Sequence, residues 1–276
     1  RQAFGPGVPG VIHMRHTWQE DYQYQSGQAP TGAELADDLE RAAQNVGADT
    51  IAACIVEPIA GSTGCLVPPV GYLERLREIC DHHGILLIFD EVITGFGRTG
   101  KAFAADTFGV IPDIITMAKA LTNGAQPMGA TAVSDKVRDV IFNSATDKCI
   151  ELFHGYTYSG HPAACAAGLA TMNVFKHENL FERAAGLSDY FLKSMLSLQD
   201  LSLVTDIRGY GLLAGIDLAH DGMVGVRGLE MQKRLFAAGL NIKMTGDCGL
   251  IAPPFIYTEA DIDKTTDILR DVISSL

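Results

Sequence analysis

The segment from Gly84 to Leu121 reads GILLIFDEVITGFGRTGKAFAADTFGVIPDIITMAKAL. An unbroken apolar run, Ile85-Leu86-Leu87-Ile88-Phe89, enters through Gly84 and stops at Asp90-Glu91. A run of that length predicts a strand buried on both faces, as in a parallel sheet. Asp90 then stands at the carboxyl end of the strand, where open α/β sheets form their ligand crevice. A glycine-punctuated loop follows, Thr94-Gly95-Phe96-Gly97-Arg98-Thr99-Gly100. Pro112-Asp113 then leads into a second apolar run, Ile114-Ile115-Thr116-Met117, which ends at Ala118-Lys119-Ala120. If the two runs are neighbouring strands, Asp90 and Lys119 open into the same crevice.

That pairing suggests a chemistry. A lysine set among Met117, Ala118, Ala120 and Leu121 is expected to be desolvated, which favours its nucleophilic form toward carbonyls. A buried carboxylate can hold a pyridinium N–H. Pyridoxal phosphate needs both a Schiff-base lysine and an acid on its ring nitrogen. The plainer reading has Lys119 snorkelling from a strand end while Asp90 caps a helix or pairs with Arg98.

Three stretches carry a resemblance: FDEVITGFGRTG (residues 89–100), PDIITMAKALTNGAQPMGA (112–130) and FHGYTYSGHPAACAAGLA (153–170). They resemble the class III, fold-type I pyridoxal-phosphate aminotransferases. EPIAGSTGCLVPPVGYLERLREIC (57–80) and the TNGAQPMGA run are most similar to the ω-amino acid (β-alanine)–pyruvate aminotransferase branch. Many class III members have Gln where this chain has Ala60, and the pyruvate-using branch often has Ala. The resemblance runs from about Val8 to the carboxyl terminus, with the motifs in family order.

The resemblance implies an α/β fold. Residues 1–178 would form the carboxyl-terminal part of a large domain with a mostly parallel sheet, and residues 179–276 a smaller α/β domain. It also implies that the chain is the later part of a longer one. The chain starts at Arg1, and the family's phosphate loop and ring-stacking aromatic belong to a preceding portion.

Site roles carry over residue by residue. Lys119 matches the Schiff-base lysine, and Asp90 the acid on the pyridine nitrogen. Val92 matches the residue packed on the ring face, and Glu57 the acid on the O3′ side. Tyr156 and Thr157 match the step that binds the phosphate of the neighbouring subunit's cofactor. This implies a homodimer or homotetramer with its site at a subunit interface. Lys243 is a departure, because the branch usually has Arg four residues before the Asp of its Gly-Asp step, here Gly246-Asp247. Lys supplies a point charge without the planar fork that grips a carboxylate. The implied activity moves an amino group from an ω-amino acid or amine to pyruvate or a similar 2-oxo acid. Other class III enzymes (acetylornithine or diaminopelargonate type, or an aminomutase) and a non-catalytic truncated chain are the alternatives.

Composition agrees with an ordinary globular chain. It has 276 residues, 47% hydrophobic and 20% charged, with a net charge of −12. That charge disfavours nucleic acid and anionic membranes as partners. No apolar run approaches bilayer length, and no leader pattern is visible. Six cysteines (54, 65, 80, 149, 165 and 248) form no CxxC pair. Free thiols in a cytoplasmic protein are expected, and no metal site.

Elsewhere the chain is read as follows. Residues 1–30 are expected to be a linker or surface loop. Gly5 to Gly10 matches GxGxxG only formally, because its prolines lack the N–H groups that a nucleotide loop donates. Thr31 and Glu34 suggest a capping box that opens a helix closed by Gly47. Ile51–Val56 is a strand ended by Glu57-Pro58, and Pro68-Pro69 precedes a helix carrying Tyr72, Leu73, Leu76 and Ile79 on one face. His82 and His83 at that helix's end are read as dipole compensation. Residues 131–134 read as a short strand, which the resemblance implies is an antiparallel return, and 135–142 as a short helix. Pro162 opens a small-residue helix. Residues 180–198, 228–238 and 260–276 are helices. Strands at 204–207 and 212–218 flank Arg208-Gly209-Tyr210-Gly211, with further strands at 240–244 and 250–251.

Overall fold

The protein is described by a computed structural model covering residues 5, 7–146 and 148–276. Two four-stranded sheets organise it. The first contains β1 (Ala53–Val56), β2 (Leu86–Asp90), β3 (Ile114–Met117) and β4 (Ala130–Val133), in that spatial order. β1, β2 and β3 run parallel and β4 returns antiparallel. α1 (Asp37–Val46) and α2 (Tyr72–His83) precede β2, and α3 (Ala104–Phe108) separates β2 from β3. After β4 come α4 (Asp135–Asn143) and α5 (Pro162–His177). The second sheet has the order β5-β6-β8-β7, all antiparallel, from β5 (Val204–Tyr210), β6 (Leu213–Leu218), β7 (Lys243–Thr245) and β8 (Cys248–Ile251). α6 (Leu180–Leu196), α7 (Val226–Ala237) and α8 (Glu259–Ser274) accompany it.

The mostly parallel first sheet is the one read from the two apolar runs. Its burial differs from expectation. Leu87 and Phe89 are fully buried, but Leu86, Ile88 and Asp90 are only half-buried, and Ile55, in register with Ile88, is 61% exposed. One face of β2 packs with Leu73, Leu76 and Ile79 of α2 in a shared apolar cluster. The opposite face has no comparable cover among the described residues. An apolar run therefore marks the strand without guaranteeing two covered faces.

Three local expectations are corrected. Thr31 and Glu34 form no capping box: a 3-10 turn at Ala33–Ala36 begins after Gly32, with no side-chain cap, and runs into α1. Arg208 to Tyr210 belong to β5 rather than to a loop. Residues 1–4 and 6, part of the expected linker and of the formal GxGxxG match, lie outside the described residues. The later half of that stretch is tied to the second sheet, with Ser26 bridging Gly209 and Gly27 N–H donating to the Gly209 carbonyl at 2.7 Å. His83 contacts Glu40 at 2.9 Å, joining α2 to α1.

The expected boundary at residue 178 falls between α5 and α6, where Asn179 turns left-handed with φ of 49°. Phe96, Leu121 and Phe175 nevertheless pack into the same apolar cluster as Phe191, Ile207 and Leu269. One core thus reaches from the glycine loop to the closing helix.

Candidate active site

Parallel pairing gives the site its geometry. Val56 is in register with Phe89, and Asp90 with Thr116. Adjacent strands lie about 4.8 Å apart, so Glu57, Asp90 and Lys119 leave three neighbouring strands at one edge. Glu57 follows β1, Asp90 ends β2, and Lys119 comes two residues after β3. Met117 is still paired in register with Ala130. Lys119 itself has φ of 44°. A non-glycine residue in that region is uncommon, and such strain clusters at functional sites. Here it turns the chain out of the strand into a 3-10 turn at Lys119–Leu121.

The acid is placed by its own backbone. One Asp90 carboxylate oxygen accepts the Val92 N–H at 3.1 Å. That bond orients the carboxylate across the strand end and puts Val92, half-buried, beside it. The alternative pairing with Arg98 is not made. Arg98 donates to the carbonyls of Leu212 (3.2 Å) and Pro253 (2.6 Å) and lies 4.6 Å from the Phe255 ring centroid. Burial lowers its guanidinium to about 10. Arg98 thus pins the glycine loop to the second sheet and makes no ion pair with Asp90.

Glu91, next to Asp90, was not singled out from sequence. It is fully buried and accepts N–H groups from Ala104 (2.6 Å) and Ala105 (2.8 Å) and the Thr94 hydroxyl (3.0 Å). Burial raises its carboxyl against those hydrogen bonds. Glu91 closes the loop that leaves Asp90 by capping α3. Acid beside acid at a strand end was the only sequence signal for it.

Other expected residues are more dispersed. Glu57 is half-buried, and its carboxylate accepts the Gly61 N–H at 2.9 Å. Lys119 is exposed, so the apolar neighbours in sequence do not desolvate it within this chain. Tyr156 is 64% exposed, Thr157 is exposed, and no hydrogen bond among the described residues joins them to Asp90 or Lys119. Lys243 lies exposed on edge strand β7 opposite Leu250. The same strand touches the Glu57 loop, where the Thr245 hydroxyl donates to the Ser62 carbonyl at 2.8 Å. A cavity of about 1410 Å³ runs along β1 past Glu57, Ala60 and Thr63 but does not include Asp90 or Lys119.

The residues present fit a pyridoxal-type group. A carboxylate fixed by a neighbouring N–H, a small branched side chain beside it and an exposed primary amine on the adjacent strand supply a proton holder, an apolar wall and a carbonyl-reactive group. Among the described residues, no group of three or more His, Cys, Asp or Glu side chains offers a metal site. No helix among them is long and apolar enough to cross a membrane.

Residues 1–273 match the class-III aminotransferase family, and the chain belongs to that family, whose members depend on pyridoxal phosphate. It is 52% identical to an omega-aminotransferase of Caulobacter vibrioides, over all of this chain and 63% of that protein. It is 44% identical to the β-alanine–pyruvate aminotransferase of Pseudomonas aeruginosa, over all of this chain and 62% of that protein. The solved omega transaminase of Pseudomonas jessenii in complex with PMP superposes with a TM-score of 0.92 at 32% identity, covering all of this chain and 62% of the other. The chain thus spans 63% and 62% of these curated relatives. These matches agree with the α/β fold-type I reading.

Proposed function

We propose that this chain carries the lysine, ring-nitrogen acid and small domain of a pyridoxal-phosphate-dependent aminotransferase that moves an amino group from an ω-amino acid such as β-alanine to pyruvate or a similar 2-oxo acid. The observation that carries this reading is the exit of Glu57, Asp90 and Lys119 from adjacent strand ends, in a chain 52% identical to an omega-aminotransferase.

When bound, pyridoxal phosphate supplies a carbonyl that condenses with amines and a ring that accepts the electron pair left when the amine-bearing carbon loses a proton. Asp90 would hold a proton on the ring nitrogen, which makes that acceptance favourable. The Lys119 amine would act as the base that takes the proton from the amine-bearing carbon and then as the acid that gives it back. Val92 would wall one ring face, and Glu57 would order the O3′ side. The Thr157 hydroxyl and N–H, with Tyr156, would reach across a subunit interface to the phosphate. Their exposure in the single chain suits that role. Lys243 attracts the acceptor's carboxylate. In this assignment, residues 1–178 belong to the large domain and 179–276 to the small one, in a homodimer or homotetramer. The six unpaired thiols suit a cytoplasmic setting.

The test is the absorbance spectrum of the protein with added pyridoxal phosphate, before and after β-alanine, beside a Lys119→Ala control. A visible band that β-alanine bleaches and the control lacks supports the reading. A band that β-alanine leaves unchanged rejects the donor, and no band rejects cofactor binding by this chain.

A further inference from the structure

Residues 57–66 form one small closed unit. Glu57 accepts the Gly61 N–H. The Gly64 and Cys65 N–H groups both return to the Gly61 carbonyl, at 3.0 and 3.1 Å, while Ala60 and Leu66 exchange hydrogen bonds of 3.0 and 2.9 Å. Cys65 is buried, with φ of 57°, and its thiol contacts the Leu213 carbonyl at 3.5 Å. A unit closed this tightly moves as a body, so what holds the turn also places the Glu57 carboxylate.

Arg208 holds the turn. Its Nε donates to the Gly64 carbonyl at 2.8 Å. The rest of the guanidinium is locked: Nη1 and Nη2 reach Asp217 at 2.7 and 3.1 Å, and Nη1 also bonds Asp206. Asp206, 1% exposed, is fixed in turn by the Tyr24 N–H (2.8 Å) and the Trp18 indole (3.0 Å). Two glycines permit the approach. A Cβ on Gly64, at φ +116°, would lie 2.6 Å from both Arg208 Nη2 and Cys248 Sγ, and a Cβ on Gly215 would overlap the Gly64 carbonyl. Buried ion clusters of this kind add little net stability over apolar packing. A planar fork with every bond assigned is instead a device of orientation. A second tie runs from Thr245 to Ser62, on the strand that carries Lys243.

We propose that Arg208 is a positioning residue of the site: gripped by Asp206 and Asp217, it fixes the Gly61–Cys65 turn through the Gly64 carbonyl, and the turn fixes the Glu57 carboxylate through the Gly61 N–H. Arg208 thereby sets how cofactor and amino donor meet Glu57. This rests on the role of Glu57 given under Proposed function.

The experiment compares wild type, Arg208→Lys, Gly64→Ala, Glu57→Gln and the Arg208→Lys/Glu57→Gln double variant. Four readouts apply: spectrophotometric titration with pyridoxal phosphate, KM against kcat for β-alanine, melting temperature, and the fluorescence of Trp18, the chain's single tryptophan. Loss of one charge-assisted bond predicts an affinity for cofactor and donor weaker by about tenfold in Arg208→Lys. Gly64→Ala, which keeps the guanidinium, gives the same pattern. In the Glu57→Gln background Arg208→Lys adds nothing further, and cofactor addition changes Trp18 emission in wild type only. Lowered melting temperature with wild-type titration and KM overturns the proposal, as does full additivity in the double variant. If Arg208→Lys does not fold, Gly64→Ala decides by the same criteria. A wild type that takes up no cofactor refutes the functional reading itself, and the positioning role with it.

Discussion

Asp90 stands in register with Thr116 on the adjacent parallel strand, three residues ahead of Lys119. The acid and the amine are 29 positions apart in sequence (119 − 90) yet leave the sheet at one edge. Lys119→Ala is expected to lower the transamination rate by about 10²–10⁴-fold, the usual share of a positioned proton-transfer group. Asp90→Asn removes the charge proposed to hold the ring proton, and its effect is expected to fall in the same range. Steady-state rates with β-alanine and pyruvate check both. Activity within threefold of wild type in either variant would remove that residue from the mechanism.

Thr157 is expected to act across a subunit interface. Chains carrying Thr157→Ala and chains carrying Lys119→Ala are each predicted to be nearly inactive. Mixed and allowed to exchange subunits, they should regain part of the activity, because one site per hybrid dimer then has both groups intact. A mixture no more active than its components would place Thr157 within its own subunit's site or outside any site.

Lys243→Arg restores the planar fork at the position where the chain departs from its branch. A second charge-assisted hydrogen bond to a carboxylate predicts a KM for pyruvate lower by about tenfold. The kcat and the KM for amine donors without a carboxylate should change little. Equal effects on all substrates would mean that Lys243 acts on the fold of β7 rather than on the acceptor.

Glu91→Ala strands the Ala104 and Ala105 N–H groups at the start of α3. Two orphaned donors predict a loss of about 2–5 kcal/mol in unfolding free energy. Glu91→Gln keeps an acceptor and should lose less. Urea denaturation read by far-ultraviolet circular dichroism distinguishes the two.

Asp247 supplies an acid-dependent part of stability. Burial opposes its charge, but the Gly225 and Gly228 N–H groups (2.9 and 2.8 Å) and His220 (2.8 Å) outweigh that and hold its carboxyl below the usual range. A depressed folded-state value stabilises the protein above the unfolded carboxylate value of about 3.9. That contribution is lost as pH falls through the folded value. Asp247→Asn should therefore be less stable than wild type at neutral pH, with the gap closing below about pH 4. A gap independent of pH would contradict this.

Much of this was legible because the signals are local. The apolar runs at 85–89 and 114–117 and the residues that end them placed β2, β3, Asp90 and Lys119 at the right edge. The glycines at 47 and 84 ended α1 and α2 as read, since positive φ there suits a residue without Cβ. Periodicity found α2 and α8 to within two residues. Thr31 and Glu34 misled because a capping box needs only two residue types at a spacing, and Tyr22, which donates to the Thr31 carbonyl at 2.6 Å, helped settle that turn otherwise.

By itself, then, the sequence determined the elements and the residues that end the strands β1, β2 and β3, because each depends on neighbours within about a dozen positions. Only the tertiary structure decided which face of β2 is covered, where Arg98 turns, and that Arg208 reaches Gly64 across 144 residues. Those outcomes depend on which surfaces meet after folding. A side chain's hydrogen-bond partner is chosen by distance in space, which local pattern does not encode.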